Sequence, residues 1–261
     1  MSWDPGRYLQ YAGERLRPAL DLVARIALAS PRAIVDLGCG AGNVTALLAQ
    51  RWPDADVLGI DSDEAMLAKA RASAIGGRVR FRAGDLAAGA FDGRPDIVFS
   101  NAALHWVGDH GALVPALLAR VAPGGVLAVQ MPRNFGEASH RAVAETAASA
   151  RWREAVGALV GPAPVGEPDR YYRWLAPRAA AVDIWESVYL QRLPARDDGE
   201  HPVVAFVSGT WLVPYFAALG ESRRAAFLDD YRARIDTAYP REPDGAVLFP
   251  FRRLFIVAHP R

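Results

Sequence analysis

The sequence predicts an α/β protein with a doubly wound, mostly parallel sheet of seven strands and a helical insertion that covers the binding edge. Five short apolar runs alternate with segments of helical periodicity, a glycine-rich turn follows the first run, and two further strand-like runs come later. Short buried runs that alternate with helices are typical of parallel strands joined by right-handed crossovers. We therefore expect one domain over residues 1–261, with a Rossmann-like core.

The composition is that of an ordinary globular chain, because 51% of its 261 residues are hydrophobic and 23% are charged. The 30 basic residues nearly balance the 29 acidic ones, which argues against a nucleic-acid partner. No apolar run reaches the length of about 18 residues that a membrane helix needs, and the N-terminus lacks the form of a signal peptide. A cytoplasmic protein with no membrane contact and no obligate protein partner is expected.

The first elements are an N-terminal helical cap, a strand and a turn. Apolar residues recur at helical spacing over residues 14–28, which predicts a cap within residues 1–30. The apolar run at residues 33–37 predicts a buried strand, and the glycines at residues 38–42 predict the turn that ends it.

The same alternation continues through residues 31–131, the predicted core. Ser62 is expected to cap the helix after the second strand, because a serine side chain accepts N–H bonds at a helix start. Further strands are predicted at residues 56–61, 79–83, 96–100 and 126–130, and further helices at residues 43–52 and 111–121.

The rest of the chain is expected to supply a cover and to complete the sheet. Residues 132–180 and 195–245 are mainly helical in pattern, with the clearest helix at residues 221–239. Strand-like runs occupy residues 181–193 and the closing segment 246–261. The two runs bring the predicted sheet to seven strands.

Three glycines stand at alternate positions directly after the first strand, where the chain turns into a helix. Glycine lets the backbone turn tightly and approach a ligand closely. Four strands end on or near polar side chains, and in an open α/β sheet such ends lie at the carboxyl edge, where ligands bind. A carboxylate at the end of the second strand suits the two hydroxyls of a ribose. The residues concerned are Asp36, Gly38, Gly40, Gly42, Asp61, Asp85 and Asn101.

The glycine spacing argues against a dinucleotide cofactor. A dinucleotide fingerprint that begins at Gly38 needs glycine or alanine where Asn43 stands, and one that begins at Gly40 meets Thr45 instead. The glycine-lysine pair of a phosphate-binding loop does not occur in the chain. A nicotinamide or flavin dinucleotide is therefore not expected.

Four separated motifs resemble, in the same order, those of the class I S-adenosylmethionine-dependent methyltransferases. They are the glycine-rich run 36–42, the ribose motif 59–61, the adenine motif 84–86 and the turn before the fifth strand, 123–127. The resemblance implies that residues 31–131 bind S-adenosylmethionine and release S-adenosylhomocysteine. It implies cofactor contacts at Asp36, Gly38, Gly40, Gly42, Asp61, Ser62, Met66, Asp85, Leu86 and Asn101.

A closer resemblance extends along the whole chain. Five stretches, from the N-terminus to the last strand, are similar to the trans-aconitate methyltransferase family: residues 8–19, 101–106, 129–134, 182–185 and 253–258. The resemblance implies methyl transfer to a carboxylate of trans-aconitate or a closely related small polycarboxylic acid. The expected products are a monomethyl ester and S-adenosylhomocysteine.

Such a reaction requires no acid or base residue, because a carboxylate is already ionised at pH 7 and can attack the methyl carbon directly. The protein has to position the reactants and to supply donors for the other carboxylates. Arg252 and Arg253 are adjacent on a predicted strand, so their side chains point to opposite faces and only one is expected to face the site. The candidates for substrate contact are Tyr8, Tyr11, Arg15, His105, Trp106, Arg133, Asn134, Tyr171, Tyr172, Trp211, Tyr215, Arg252 and Arg253.

Several alternatives stay open at this stage. His105 could serve as general base if the acceptor were a hydroxyl or a carbon acid, and the chain could be a non-enzymatic module that binds S-adenosylmethionine. Trp106 and Trp211 could be packing residues, since tryptophan often contributes buried area. No metal is expected, because His105 and His110 do not have the spacing of helical metal ligands.

Overall fold

The computed structural model describes residues 16–72, 77–88 and 91–261, and its centre is a seven-stranded sheet. The strand order is β3-β2-β1-β4-β5-β7-β6. The strands are β1 (Ala33–Leu37), β2 (Asp56–Asp61), β3 (Val79–Ala83), β4 (Ile97–Asn101), β5 (Val126–Pro132), β6 (Ala179–Leu193) and β7 (Val247–Pro260). The predicted α/β fold class with seven strands is confirmed.

The sheet is mixed and doubly wound about β1. β1 pairs in parallel with both β2 and β4, β2 with β3, and β4 with β5, whereas β7 runs antiparallel to β5. The four residues Ile34 to Leu37 of β1 are buried, as expected for a central parallel strand that is covered on both faces. The strand order changes direction at β1, so the crevice at its carboxyl end is the expected place for a ligand.

Nine α-helices connect and cover the strands in the described part of the chain. They are α1 (Arg17–Ala24), α2 (Asn43–Arg51), α3 (Glu64–Ala72), α4 (His110–Ala119), α5 (Ala138–Ala148), α6 (Arg153–Val156), α7 (Pro168–Leu175), α8 (Pro202–Ser208) and α9 (Val213–Ala238). Within these residues, no single helix is long and apolar enough to cross a membrane; α8 and α9, bent by 103°, pass that test of length and composition only as a pair.

The chain divides into two compact units. The first comprises the residues up to Pro132, the segment Pro164–Ser187 and the segment Arg253–Arg261. The second comprises Arg133–Ala163 and Val188–Arg252. The second unit contains most of the predicted cover, but residues 164–180, which the sequence analysis assigned to the cover, belong to the first unit.

Two helices differ from the prediction, α1 in its length and α3 in its capping residue. α1 begins at Arg17 and ends at Ala24, so within the described residues it is shorter than the predicted helix. The predicted capping role of Ser62 is wrong, because α3 begins at Glu64 and the Asp63 carboxylate accepts hydrogen bonds from the backbone N–H groups of Ala65 and Met66 at 2.8 and 3.1 Å. Aspartate competes as well as serine for this position.

The second unit has its own hydrophobic core. Trp152 packs edge-on against Phe227 of α9, and Tyr231 and Ile235 one and two turns further along are also fully buried. α9 is interrupted at Gly220, whose φ of 67° and ψ of 172° break the helical path. The predicted helix over residues 221–239 corresponds to the part of α9 after this break, and the part before it, from Val213, was not predicted.

Candidate active site

The turn after β1 requires glycine for both conformation and space. Gly38 and Gly42 have φ angles of 76° and 83°, a region that L side chains rarely adopt. A Cβ on Gly38 would lie 2.0 Å from the Cβ of Ala103, and one on Gly42 would lie 2.9 Å from Cζ of Phe81. The N–H groups of Gly38 and Cys39 both donate to the carbonyl of Ile60, at 2.7 and 3.0 Å, so the turn is fixed to β2.

Gly40 is the glycine of this turn that faces open space. A Cβ built on Gly40 meets no atom within 4 Å, although its φ of 53° is again positive. Its N–H donates to Oδ2 of Asp61 at 2.7 Å, and Oδ1 of Asp61 accepts from the N–H of Asp63 at 3.0 Å. Each carboxylate oxygen retains a second lone pair, so Asp61 can accept the hydroxyls of a ribose while it supports the turn.

The carboxyl group of Asp36, in β1 just before the turn, is buried, and its charge depends on pH. The residue is 1% exposed, and Oγ1 of Thr45 donates to its Oδ2 at 2.7 Å. Burial raises the pKa of Asp36 to about 7, the Thr45 hydrogen bond opposes this shift, and the nearby charge of Asp61 adds to it. The negative charge of Asp36 therefore depends on pH, and a cationic ligand nearby would favour it.

The other predicted cofactor residues follow the ends of β2, β3 and β4 in the first unit. Oδ1 of Asp85 accepts from the N–H of Ala87 at 2.9 Å and so opens the short 3-10 helix Leu86–Ala88. Ser62 and Met66 are exposed, and Asn101 is half-buried at the last position of β4. The structure thus brings the polar ends of four adjacent strands to one edge of the sheet.

His105 and Trp106 lie in a short 3-10 helix, Leu104–Trp106, that follows β4. Trp106 is 71% exposed, so the packing role considered for it is wrong. Burial lowers the pKa of His105 to about 4, with smaller contributions from the positive charges of Arg253 and His110. The imidazole is therefore neutral near pH 7, and a base of such low pKa is poorly matched to proton abstraction at that pH.

A chain of hydrogen bonds supports this 3-10 helix. Nε2 of His110 donates to the carbonyl of Leu104 at 2.9 Å, which leaves Nδ1 to accept from the hydroxyl of Tyr171 at 2.6 Å. The N–H of Gly166 donates to the same hydroxyl at 3.3 Å. Tyr171 is 0% exposed, so the predicted direct contact of this residue with a substrate is corrected to a supporting role, whereas its neighbour Tyr172 is 56% exposed.

Three predicted substrate residues are engaged within the second unit. Asn134 is buried and donates through Nδ2 to Nδ1 of His140 at 3.5 Å. Trp211 packs against His140, with ring centroids 5.2 Å apart, which confirms the packing role considered for it. The hydroxyl of buried Tyr215 donates to the carbonyl of Leu159 at 3.4 Å.

The predicted arginines have different neighbours. Nε of Arg252 donates to Oε1 of Glu137 at 3.1 Å, and the N–H of Arg133 donates to the carbonyl of Arg252 at 3.0 Å, all within the second unit. Arg253 belongs to the first unit, where it lies opposite Pro132 of β5 and contributes to the lowered pKa of His105. Tyr8, Tyr11 and Arg15 lie outside the described residues.

Gln130 is a polar residue at this edge that the sequence analysis counted only as part of a strand. It lies opposite Asn101 of β4 and Phe255 of β7, and it is 0% exposed. Neither polar atom of its side chain has a hydrogen-bond partner in residues 16–72, 77–88 and 91–261. A single amide inside an otherwise apolar strand is the signal that could have identified it.

No group of three or more histidine, cysteine, aspartate or glutamate side chains suited to a metal ion occurs among the described residues.

A family model described as a methyltransferase domain matches residues 34–125. Phosphoethanolamine N-methyltransferase 2 of Haemonchus contortus, solved with phosphomonomethylethanolamine and S-adenosylhomocysteine, is similar with a TM-score of 0.53 at 15% identity, over 93% of this chain and 52% of that chain. The fold is that of the class I methyltransferases.

Two relatives named trans-aconitate 2-methyltransferase match nearly the whole chain. The one from Methylobacterium radiotolerans is 44% identical, with 98% of this chain and 97% of the relative covered. The one from Azoarcus sp. is 45% identical, with 98% of each chain covered. The chain belongs to the family of trans-aconitate 2-methyltransferases, and its cofactor is S-adenosylmethionine.

Proposed function

We propose that the chain transfers the methyl group of S-adenosylmethionine to a carboxylate of trans-aconitate or of a closely related small polycarboxylic acid. The observation that carries this proposal is the identity of 44–45% over 98% of the chain to enzymes named for that substrate. Bound S-adenosylmethionine supplies an electrophilic methyl group. One C–S bond breaks and one C–O bond forms, which gives a monomethyl ester and S-adenosylhomocysteine.

The site suits an acceptor that needs no deprotonation. A carboxylate of the substrate is ionised near pH 7, so it can attack without a general base. His105 follows β4 at the binding edge, but its pKa of about 4 makes it a poor base at that pH. This observation supports the carboxyl acceptor over the hydroxyl or carbon-acid acceptor that His105 would otherwise have to activate.

The roles proposed for the protein are binding and orientation. Asp61 and Gly40 are proposed to hold the ribose side of the cofactor, and Asp36 to balance its positive charge. Holding the carboxylate oxygen in line with the methyl carbon and the sulfur can remove several kcal/mol from the barrier, up to about 7–11 kcal/mol in well-oriented systems. Arg253, which lies near His105, is proposed to offset the negative charge of the acceptor.

The test is an acceptor panel. The purified chain is incubated with methyl-labelled S-adenosylmethionine and each of a series of mono-, di- and tricarboxylates, and transfer to each acid is counted. We expect transfer to trans-aconitate above the other acids. Binding of S-adenosylmethionine without transfer to any carboxylate would contradict the proposal while leaving the methyltransferase class intact.

A further inference from the structure

Unpaired buried polar atoms concentrate at the carboxyl ends of β4 and β5. Oδ1 of Asn101, Nδ1 of His105 and both side-chain polar atoms of Gln130 have no hydrogen-bond partner among the residues that the structure describes. Buried polar groups in folded proteins are nearly always paired, and each exception calls for an explanation. We name Asn101, His105 and Gln130 the polar cluster.

The strand register places two members of this cluster, Asn101 and Gln130, on one face of the sheet, together with an arginine. Asn101 lies directly opposite Gln130, so their side chains share a face. Gln130 lies opposite Phe255, and Arg253, two residues from Phe255 on β7, points to the same face. Arg253 is also close enough to His105 for its charge to lower the pKa of that histidine. All four residues belong to the first unit.

Gln130 and Arg253 lie beyond the part of the sheet that carries the cofactor motifs, and Asn101 of β4 lies between the two parts. The glycine turn follows β1, Asp61 ends β2 and Asp85 follows β3 on one side of it, whereas β5 is two strands away on the other side. At about 4.8 Å between neighbouring strands, Gln130 is about 10 Å across the sheet from β1. The methyl acceptor, rather than the adenosine, is expected on this side.

We propose that Gln130 and Arg253 bind a carboxylate of the acceptor other than the one that is methylated, and so select acids with more than one carboxylate. The inference rests on the proposed function. The NH2 group of Gln130 offers two N–H donors. The planar guanidinium of Arg253 can donate two parallel hydrogen bonds to a carboxylate. Hydrogen bonds withdraw electron density from a carboxylate oxygen, so these donors serve the oxygens that do not attack the methyl group.

The burial of Gln130 is compatible with this role. Its side chain has three rotatable bonds, and Asn101, opposite it at the end of β4, is only half-buried, so a change of rotamer is the movement that the proposed contact requires. A buried amide without a partner lowers stability, and an apolar side chain of similar shape would avoid that loss. Local departures of this kind from a satisfied core are expected at functional sites.

The test compares Gln130→Met with the wild-type chain. Binding of trans-aconitate to protein saturated with S-adenosylhomocysteine is measured by calorimetry, together with kcat and KM where the chain is active. We expect Gln130→Met to weaken trans-aconitate binding at least tenfold and to leave the affinities for S-adenosylhomocysteine and for a monocarboxylate unchanged. Its melting temperature should be equal to or higher than that of the wild type. Gln191→Met, at a buried glutamine of β6, is the matched control.

A trans-aconitate affinity of Gln130→Met within twofold of that of the wild type would overturn the inference. If the melting temperature is lowered at the same time, the amide has a purely structural role. If the wild type binds trans-aconitate but does not methylate it, and Gln130→Met loses the binding, the inference stands and the proposed function fails. If the wild type methylates trans-aconitate and Gln130→Met does so equally well, the reverse holds. If the wild type neither binds nor methylates any polycarboxylate, both fail.

Discussion

At the scale of single residues, burial has more influence on the site than formal charge. Asp36 and His105 are both titratable and both largely removed from water, and burial shifts the pKa of each toward its neutral form. The sequence identified both residues from their positions near the ends of strands, because strand ends can be read from apolar runs. It could not show their protonation, which depends on neighbours distant in the chain.

His105→Gln tests whether a base is needed. We expect this variant to keep turnover within about tenfold of the wild type. An already ionised acceptor has no proton to remove, and a histidine with a pKa of about 4 would be a poor base for one. The measurement is kcat with cofactor affinity determined in parallel. Abolished turnover with intact cofactor binding would contradict a base-free reaction.

Asp36 predicts a pH dependence of cofactor binding. Its pKa is raised from 3.8 to about 7, so the carboxyl group ionises between pH 6 and pH 8 and a cationic ligand then binds better. Over this pH range, the rise in affinity for S-adenosylmethionine should be about ten times larger in the wild type than in Asp36→Asn. The raised pKa also means that its contribution to stability is present below about pH 4 and is lost as the pH rises to about 7. Identical pH profiles of binding for the two proteins would remove Asp36 from this role.

At the scale of elements, the parallel core was predictable and several of its boundaries were not. β1, β2, β4 and β5 are short, mostly buried runs between helices, β3 is a largely exposed edge strand, and this pattern leaves little choice of fold. The break of α9 at Gly220 and the capping of α3 by Asp63 depend on single residues within otherwise helical or polar stretches. Gln130 was predicted only as part of a strand, because the apolar residues around it define the strand and a single amide has no characteristic spacing.

The glycine turn makes a paired prediction. Gly38→Ala should prevent folding or lower stability by several kcal/mol, because its Cβ would overlap that of Ala103 at 2.0 Å. Gly40→Ala meets no atom within 4 Å, so it should cost only the conformational strain of about 1–2 kcal/mol and weaken cofactor binding instead. Urea unfolding and calorimetric titration measure the two effects, and equal stabilities of the two variants would contradict the packing described here.

The support of the 3-10 helix Leu104–Trp106 predicts a difference between two adjacent tyrosines. Tyr171→Phe leaves Nδ1 of His110 and the N–H of Gly166 without the hydroxyl, which should reduce the free energy of unfolding by about 1–3 kcal/mol and lower kcat. Tyr172→Phe, at an exposed side chain, is the control for stability and should have the free energy of unfolding of the wild type. Equal stability of the two variants would show that the chain of hydrogen bonds does not support this helix.

At the scale of the whole molecule, a nearly neutral chain is proposed to act on an anion, so the charge that binds it has to be local. The 30 basic residues are offset by 29 acidic ones, and Arg232, for example, pairs with Glu200 at 2.7 Å. Arg253 is the arginine that the described structure places near His105 in the first unit. Composition could exclude a polyanionic partner, but it could not indicate which arginine serves the site.

The bond formed in the reaction is the most direct test of this account. The chain is incubated with trans-aconitate and S-adenosylmethionine that carries a trideuterated methyl group, and the product is analysed by mass spectrometry before and after mild alkali. The account predicts one added trideuteromethyl group that alkali removes, as an ester requires. A methyl group that resists alkali, or its absence from trans-aconitate altogether, would contradict transfer to a carboxylate.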